Sequence, residues 1–215
     1  LMQGASVLRD EGTTTAELIP SGETSSYRSN PLKLAEFALS RRDPDYVPRA
    51  KATQVLETSR AAGAVPPALE EVLKSLNLTE SALARMHIGS VIFANKPGDG
   101  SAREQAASCQ RVLGGCANIC YEFATKRYRS NCVNWGMLPF TLAEGAAFDG
   151  YAGDFVYVPD VREKLARGDE EFPAVLVHKG QAQPITLYLK NTSAEERELL
   201  LTGCLMNHYA AQNRR

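Results

Sequence analysis

The sequence lacks any hydrophobic run long enough to cross a membrane, and it carries no large excess of charge. Its longest apolar stretches, residues 174–177 and 199–206, fall far short of the roughly 20 residues that a membrane-spanning helix needs. The 24 basic and 25 acidic side chains leave a net charge of −1, so we expect neither nucleic acid nor a membrane as a partner. The first ten residues also lack the basic region and apolar core of a signal peptide, and we expect a cytoplasmic protein.

The chain is also poor in patterns that bind metals. It has five cysteines and three histidines, without a Cys-x-x-Cys pair and without ligand spacing among the histidines. Cys116 and Cys120 fall in a predicted strand, where residues four apart are about 13 Å from each other, too far to share one ion. We therefore predict reduced thiols that pack in the core, and no metal site within this chain.

Apolar runs and glycine or proline punctuation predict alternating strands and helices. Residues 1–27 look irregular. Helices are predicted at residues 31–39, 43–60 (with Asp43 as N-cap), 67–76, 79–86, 101–113 and 126–135. Residues 88–94 form the clearest buried strand. Together with the glycine-containing loop at residues 95–100, the helix at 101–113 and the strand at 117–123, they make a βαβ unit with a parallel pair.

The last third of the chain has a different character. Strands are predicted at residues 154–158 and 174–178, with a hairpin around residues 180–183 into a strand at 185–189. Thr192 or Ser193 caps a final helix that runs to about Gln212. The simplest description is one mixed α/β domain over residues 1–215, and the start at Leu1 favours a fragment of a larger protein.

The most informative stretch is the loop at residues 97–107, Pro-Gly-Asp-Gly-Ser-Ala-Arg-Glu-Gln-Ala-Ala. A helix that begins near Ser101 presents free backbone N–H groups and a partial positive charge. Gly98 and Gly100 allow a ligand to approach the backbone, so the place suits a carboxylate or a developing oxyanion. It is neither a phosphate loop nor a full dinucleotide fingerprint, and the pattern alone also occurs in many α/β proteins without a site there.

Three motifs, in the right order, resemble those of aconitases and of the small subunit of 3-isopropylmalate dehydratase. Residues 98–107 resemble Gly-x-Gly-Ser-Ser-Arg-Glu-His-Ala, and residues 129–140 resemble Arg-Ser-Asn…Gly-Ile-Leu-Pro-Leu. Residues 19–30, which end in Tyr-Arg-Ser-Asn, resemble the segment that supplies a substrate-binding arginine. The chain is identified as a member of this family. The resemblance implies the α/β swivelling domain of the aconitase C-terminal type, with a mixed sheet and flanking helices.

The resemblance also implies the roles of the site residues. Ser101 matches the base that takes a proton from the carbon next to a carboxylate, while the open iron of a [4Fe–4S] cluster takes the hydroxyl. Arg103 and Arg28 match the arginines that hold substrate carboxylates, and Gly100 and Ala102 belong to the same substrate-binding loop. The cluster itself is expected on domains outside this chain, either in the same polypeptide or in a large subunit.

Some positions depart from the family pattern. Ala102 replaces a second serine and Gln105 replaces a histidine, so the choice of substrate is in doubt. The family's Asp-His-Ile stretch reads Ala16-Glu17-Leu18 here, so the aspartate is missing or Glu17 takes over its work. The helical stretch at about residues 66–87 is longer than the usual connection.

Structural interpretations stand beside the functional ones. Ser101 is also a candidate N-cap, which does not exclude catalysis, and Arg103 and Arg28 are alternatively surface residues. Purely structural roles are expected for Arg129 and Asn131 (shaping the loop), Tyr128 and Trp135 (packing) and Arg41–Arg42 (a solvated face).

Two functions follow from these observations. The first is the C-terminal domain of a hydro-lyase that reversibly dehydrates a hydroxy di- or tricarboxylic acid and is inactive alone. The second is a degenerate or regulatory aconitase relative of the RNA-binding type, for which no basic stripe with interleaved aromatics is present.

Overall fold

The computed structural model of the chain describes residues 1–20, 22 and 24–212. The strands are β1 Met2–Leu8, β2 Thr13–Thr14, β3 Gly89–Ala94, β4 Pro97–Asp99, β5 Gly115–Cys120, β6 Leu138–Thr141, β7 Phe155–Tyr157, β8 Glu171–His178 and β9 Gln181–Tyr188. The helices are α1 Thr15–Leu18, α2 Pro31–Ala35, α3 Tyr46–Ala61, α4 Pro67–Ser75, α5 Glu80–Leu83, α6 Arg103–Val112, α7 Lys126–Asn134, α8 Val161–Arg167, α9 Ala194–Thr202 and α10 Leu205–Gln212, with a 3-10 turn at Ser25–Tyr27.

Seven of the strands form one sheet that closes on itself, in the order β1-β3-β5-β6-β9-β8-β7. Strands β1, β3, β5 and β6 are parallel neighbours, whereas β7, β8 and β9 pair in antiparallel fashion. Antiparallel pairs β6–β9 and β1–β7 join the two parts. This mixed sheet with flanking helices confirms the fold class that the sequence predicted.

The predicted βαβ unit is confirmed and positions the glycine loop. All six residues of β3 are buried, as expected of a strand in a parallel sheet that is covered on both faces. The chain then passes through β4 and α6 and returns as β5, with Val91 paired to Ala117 and Phe93 to Ile119. Because the carboxyl end of β3 leads directly into β4 and α6, the loop lies at that edge of the sheet, where ligands commonly bind in α/β folds.

The prediction that residues 1–27 are irregular was wrong for Met2–Leu8, which form β1. Strand β1 lies between β3 and β7 and completes the closed sheet. Its buried positions include Ala5 and Ser6, each with no exposed surface, and the Ser6 hydroxyl donates a 2.5 Å hydrogen bond to Asp43 Oδ2. A strand built from small and polar residues has no apolar alternation by which it could be recognised.

Other boundaries moved for local reasons. Asp43 is not an N-cap, because its carboxylate is engaged by Ser6 and Arg49 and α3 begins only at Tyr46. The predicted helix at 79–86 shortens to α5. Ser193 caps α9 in a capping box with Glu196, as predicted, but Gly203 in the left-handed region (φ 98°) separates α9 from α10.

The apolar core has two main parts. One cluster lies between the sheet and helices α2, α3, α6 and α7, and the other includes side chains from β3, β5, β6, β7, β8 and β9. A third, smaller cluster packs α4 and α5 against β8 through Leu69 and Val177. Among the described residues, no helix is long and apolar enough to span a membrane.

Candidate functional site

The glycine loop is held by two close contacts that only glycine permits. Gly98 (φ 101°) lies against the ring of Tyr128, and a Cβ atom there would overlap the ring carbons. Gly100 (φ 125°) lies against the Thr15 hydroxyl in the same way. Both residues have backbone angles that side-chain-bearing residues rarely adopt, so the two glycines fix the course of the loop that leads to Ser101.

Helix α6 begins at Arg103, with Ala102 rather than Ser101 at its N-cap position. The capping interpretation of Ser101 was therefore wrong. Alanine has no oxygen with which to cap, so the first backbone N–H groups of α6 keep no side-chain partner at this end. Ser101 itself is exposed, and no other described residue forms a hydrogen bond with its hydroxyl. The hydroxyl is thus available beside free amides and a helix N-terminus.

A cavity of about 210 Å³ lies beside this loop. Its lining brings together three of the predicted site residues, Arg28, Ser101 and Ala102, from two segments that are distant in the sequence. The other lining residues are Ile19, Thr24, Leu34 and Gln105. Among the described residues of this lining, Arg28 is the one that carries a charge, and its guanidinium can accept a carboxylate.

Two residues that precede Arg28, Tyr27 and Thr24, have defined contacts. Arg28 follows the 3-10 turn, in which the ring of Tyr27 stacks on Phe37 with centroids 5.4 Å apart. Upstream, the buried Thr24 hydroxyl donates a 2.7 Å hydrogen bond to the Pro20 carbonyl. The guanidinium of Arg28 is exposed at the cavity. Ser21 and Glu23 of the same motif lie outside the described residues.

Arg103 and Gly100, the other two predicted site residues, do not line this cavity. Instead, Nη1 of Arg103 donates a hydrogen bond to the Gly100 carbonyl, across the turn that contains Ser101. The half-buried guanidinium therefore lies on the loop backbone, next to the serine, and keeps further N–H donors for a ligand. No ion pair of Arg103 with an acidic side chain of the described chain is present, which disfavours the surface ion-pair interpretation.

The motif at residues 129–140 supports the loop through contacts with the first turn of α6. Asn131 donates a hydrogen bond to Glu104, in the first turn of α6, and Trp135 Nε1 donates a second one of 2.6 Å. Asn131 thus has the loop-shaping role that the sequence predicted. Arg129 acts elsewhere, since it donates 2.7 Å and 3.5 Å hydrogen bonds to the Glu196 carboxylate at the start of α9.

The residues at the missing Asp-His-Ile stretch have structural partners. Glu17 closes a capping box with Thr14 at the start of α1 and approaches Arg42 within 3.9 Å. Arg42 also forms an ion pair with Asp10, so the prediction of a solvated arginine pair was incomplete. Glu17 does not line the cavity near Ser101. It therefore stabilises the start of α1, next to Thr15, on which Gly100 packs.

Three of the cysteines, Cys109, Cys120 and Cys132, are buried as the sequence predicted, whereas Cys116 and Cys204 are half-buried. All five are free thiols, and burial raises the pKa of Cys132 to about 12 despite a hydrogen bond with Tyr128 that lowers it. Burial likewise raises the pKa of Cys109 to about 12 and that of Cys116 to about 11. Thiols of this kind stay protonated and are poor metal ligands. Among the described residues no group of three or more His, Cys, Asp or Glu side chains could hold a metal ion.

Sequence reasoning missed the wall of the cavity. Ile19, Thr24 and Leu34 are nearly fully buried, so they carry no signature that separates a cavity wall from ordinary core. A partial signal existed for Ile19 and Thr24, because both fall within the motif that supplies Arg28. Leu34 carried none, since its position next to Ala102 depends on the packing of α2 against α6.

Comparisons with known proteins agree with this geometry. The family model described as the aconitase C-terminal domain matches residues 73–145. A putative mitochondrial aconitate hydratase of Emericella nidulans is 32% identical over 119 residues, which cover 54% of this chain and 15% of that protein. Aconitate hydratase A of Bradyrhizobium diazoefficiens is 43% identical over 67 residues, which cover 30% of this chain and 7% of that protein.

The fold has a solved counterpart. The structure of the 3-isopropylmalate dehydratase leuD from Methanocaldococcus jannaschii superimposes with a TM-score of 0.56, over 97% of this chain and 93% of that one, at 20% sequence identity. The matched part of the chain spans 15% of the length of the Emericella aconitate hydratase and 7% of that of the Bradyrhizobium enzyme. Together, the matches confirm the resemblance found in the sequence: residues 73–145 match the aconitase C-terminal domain, the chain is similar in sequence to aconitate hydratases, and its fold is like that of leuD.

Proposed function

We propose that this chain supplies the proton-transfer and carboxylate-binding part of an aconitase-type hydro-lyase. The reaction is the reversible dehydration of a hydroxy di- or tricarboxylic acid. The observation that carries the proposal is the cavity, which holds Arg28, Ser101 and Ala102 together at the open N-terminus of α6. Arg28 and Ser101 line this cavity, and Arg103 donates to the Gly100 carbonyl beside Ser101, which supports the roles that the resemblance implies.

In this mechanism Ser101 Oγ is the base. The Oγ alkoxide takes a proton from the carbon next to a substrate carboxylate, the electrons of that C–H bond form the C=C bond, and the hydroxyl leaves as hydroxide. A cluster on another domain would supply the acceptor for the hydroxide, and hydration reverses these steps. A serine hydroxyl is far too weak an acid to ionise at neutral pH unassisted, so the alkoxide must be stabilised where it forms. The uncapped amides at the start of α6 and the guanidinium of Arg103 are the groups next to Oγ that can do so.

The carboxylates of the substrate have two cationic partners in this chain. Arg28 points into the cavity and offers a planar fork that can grip one carboxylate through two hydrogen bonds. Arg103 uses one donor on the Gly100 carbonyl and has others left for a second carboxylate. Gly100 and Ala102 leave room for the substrate, because neither projects a long side chain.

The described residues do not suit a [4Fe–4S] cluster, since Cys109, Cys120 and Cys132 are buried and no three His, Cys, Asp or Glu side chains of the described chain come together as a metal-binding group. We place the cluster on other domains of the same polypeptide or on a large subunit, which this domain would meet at the face that carries Ser101. On this proposal residues 1–215 are inactive alone. A cytoplasmic location stays a prediction.

The test is turnover by the assembled protein, prepared without oxygen and assayed for iron. Hydroxy-diacids and hydroxy-triacids are screened for formation of the unsaturated acid. We expect activity that falls at least ~100-fold in Ser101→Ala, as is typical when a general base is removed. Ser108→Ala, which alters a half-buried serine of the same helix whose hydroxyl donates to the Gln105 carbonyl at 3.4 Å, should keep its activity. An iron-loaded parent that is inactive on the whole panel, or a Ser101→Ala variant as fast as the parent, would shift support to the regulatory alternative.

A further inference from the structure

Three polar side chains from three elements form a closed ring of hydrogen bonds inside the core. Gln110 Nε2, on α6, donates to Tyr128 Oη at 2.8 Å, and Tyr128, on α7, donates to Asn118 Oδ1 at 2.9 Å. Asn118 Nδ2, on β5, completes the ring with a 2.8 Å bond to Gln110 Oε1. The three residues are 3%, 0% and 1% exposed, respectively.

A ring of this kind defines one arrangement of the elements that carry it. Buried polar groups are costly unless every partner is present, so loss of one member leaves the other two unsatisfied. Gln110 Nε2 also donates to the Ala106 carbonyl at 2.8 Å, which fixes its side chain against its own helix. The ring therefore sets the position of the Tyr128 hydroxyl relative to α6 and β5.

The other side of Tyr128 faces the glycine loop. Its ring lies in the space that a side chain at Gly98 would need. The start of α7 also holds the loop backbone, because Thr125 Oγ1 donates to the Gly98 carbonyl at 3.2 Å and Ala124 N donates to the Pro97 carbonyl at 2.9 Å. Tyr128 N in turn donates to Thr125 Oγ1 at 3.1 Å. Tyr128 therefore supports the loop both through its ring, at Gly98, and through the Thr125 side chain.

We infer that Tyr128 is a positioning residue. Its hydroxyl is held between Gln110 and Asn118, and its ring therefore fixes the position of the Gly98–Ser101 backbone and, through it, that of the Ser101 hydroxyl. The sequence interpretation of Tyr128 as a packing residue is correct for the ring but omits the hydroxyl. This inference rests on the proposed role of Ser101 as base, and it adds a residue that never touches substrate.

The first test measures the loop directly in the 215-residue chain. Tyr128→Phe removes the hydroxyl and keeps the ring, and amide hydrogen exchange is followed at Ala106 and Ala124, whose N–H groups donate to the Ala102 and Pro97 carbonyls of the loop segment. We expect exchange there to rise by at least about tenfold, the factor that a lost buried hydrogen bond typically gives. The matched control is Tyr121→Phe, which deletes a hydroxyl that donates to the Ala146 carbonyl at 2.6 Å, away from the loop.

Equal exchange at these two amides in the two variants would overturn the inference. If Tyr128→Phe does not fold, Gln110→Met provides the same test, since it opens the ring while Tyr128 stays intact. Gln110→Met is expected to raise exchange at the same two amides, and exchange unchanged from the parent would again overturn the inference.

The second test uses turnover by the assembled protein and separates positioning from stability. We expect Tyr128→Phe to lower kcat by about tenfold with KM within about twofold, because a displaced base affects the transition state rather than binding. In a Ser101→Ala background the further loss should vanish, as expected of residues that act through one group. If Tyr128→Phe lowers kcat as much in the Ser101→Ala background as in the parent, Tyr128 does not act through Ser101. Absence of hydratase activity in the parent would refute the proposed function, while the exchange experiment would still decide whether Tyr128 fixes the loop.

Discussion

The carboxylate of Glu104 accepts a 2.6 Å hydrogen bond from Trp135 Nε1, which links the first turn of α6 to the end of α7. Asn131 donates to the other oxygen of the same carboxylate. Glu104 stands one residue after Arg103 and three after Ser101, so two of the sequence motifs meet at this carboxylate. The motif at residues 129–140 therefore supports the glycine loop although none of its residues lines the cavity.

This link predicts a graded effect of Glu104→Gln. A glutamine offers one acceptor oxygen in place of two, so either Asn131 or Trp135 loses its partner. We expect the free energy of unfolding to fall by about 1–2 kcal/mol, the usual loss for a hydrogen bond to a charged group. Urea denaturation of both forms measures it. The control is Glu70→Gln in the first turn of α4, which removes an equivalent helix-terminal charge and should cost about 0.3–1 kcal/mol or less. Equal losses would indicate that only the helix dipole is involved.

The contact between Gly98 and Tyr128 predicts a difference between two glycine substitutions. Gly63 and Gly98 both have positive φ angles, 81° and 101°, but a Cβ atom on Gly63 would meet nothing within 4 Å. Gly63→Ala should therefore cost only the backbone strain, about 1 kcal/mol. Gly98→Ala adds overlap with a buried ring, and we expect about 3 kcal/mol or more in total. Chemical denaturation of the two variants compares them, and a Gly98→Ala variant as stable as Gly63→Ala would contradict the close packing described here.

The two arginines predict different kinetic effects in the assembled protein. Arg28→Lys loses the planar fork that grips a carboxylate, so we expect KM to rise by about tenfold or more with a smaller change in kcat. Arg103→Lys should chiefly lower kcat, because the guanidinium that lies on the loop beside Ser101 would no longer stabilise the alkoxide. Steady-state kinetics separates the two effects. Arg127→Lys, at an exposed position of α7, is the control and should change neither constant.

The part of the fold that the sequence predicted best is the part with strong local signals. Apolar runs identified β3, glycines identified the ends of α6 and the loop before it, and a Ser-x-x-Glu pattern identified the start of α9. In each case local propensity and the final packing agree. Strand β1 was missed because Ala5 and Ser6 occupy its core positions, and only the tertiary neighbours of those residues explain their burial.

The candidate site shows the same division. Ser101, Arg103 and Arg28 stand in recognisable motifs, but the cavity wall depends on how α2 packs against α6. The polar ring under the loop was beyond sequence reasoning for another reason. Gln110 and Asn118 are residue types that are usually exposed, so nothing in their own neighbourhoods predicts that they are buried and bonded to Tyr128.

The buried thiols predict how stability depends on pH. Cys132 has a pKa of about 12 in the folded chain, raised by burial from an ordinary value of 9.0. Between these values the unfolded thiol loses its proton and the folded one keeps it, so the folded state binds more protons and its stability falls as pH rises. The contribution is complete below pH 9.0 and is lost progressively towards pH 12. Each such thiol adds about 1.4 kcal/mol per pH unit to the slope in this window.

Urea denaturation at several pH values from 8 to 11 measures this slope for the parent and for Cys132→Ala. The variant should be less stable at pH 8, because a buried side chain is shortened, but its stability should fall less steeply by about 1.4 kcal/mol per pH unit, which corresponds to one proton. Val133→Ala is the matched control, since it shortens the adjacent buried side chain without removing a titrating group. If Val133→Ala flattens the slope as much as Cys132→Ala, or if Cys132→Ala leaves it unchanged, the thiol is not the group that titrates.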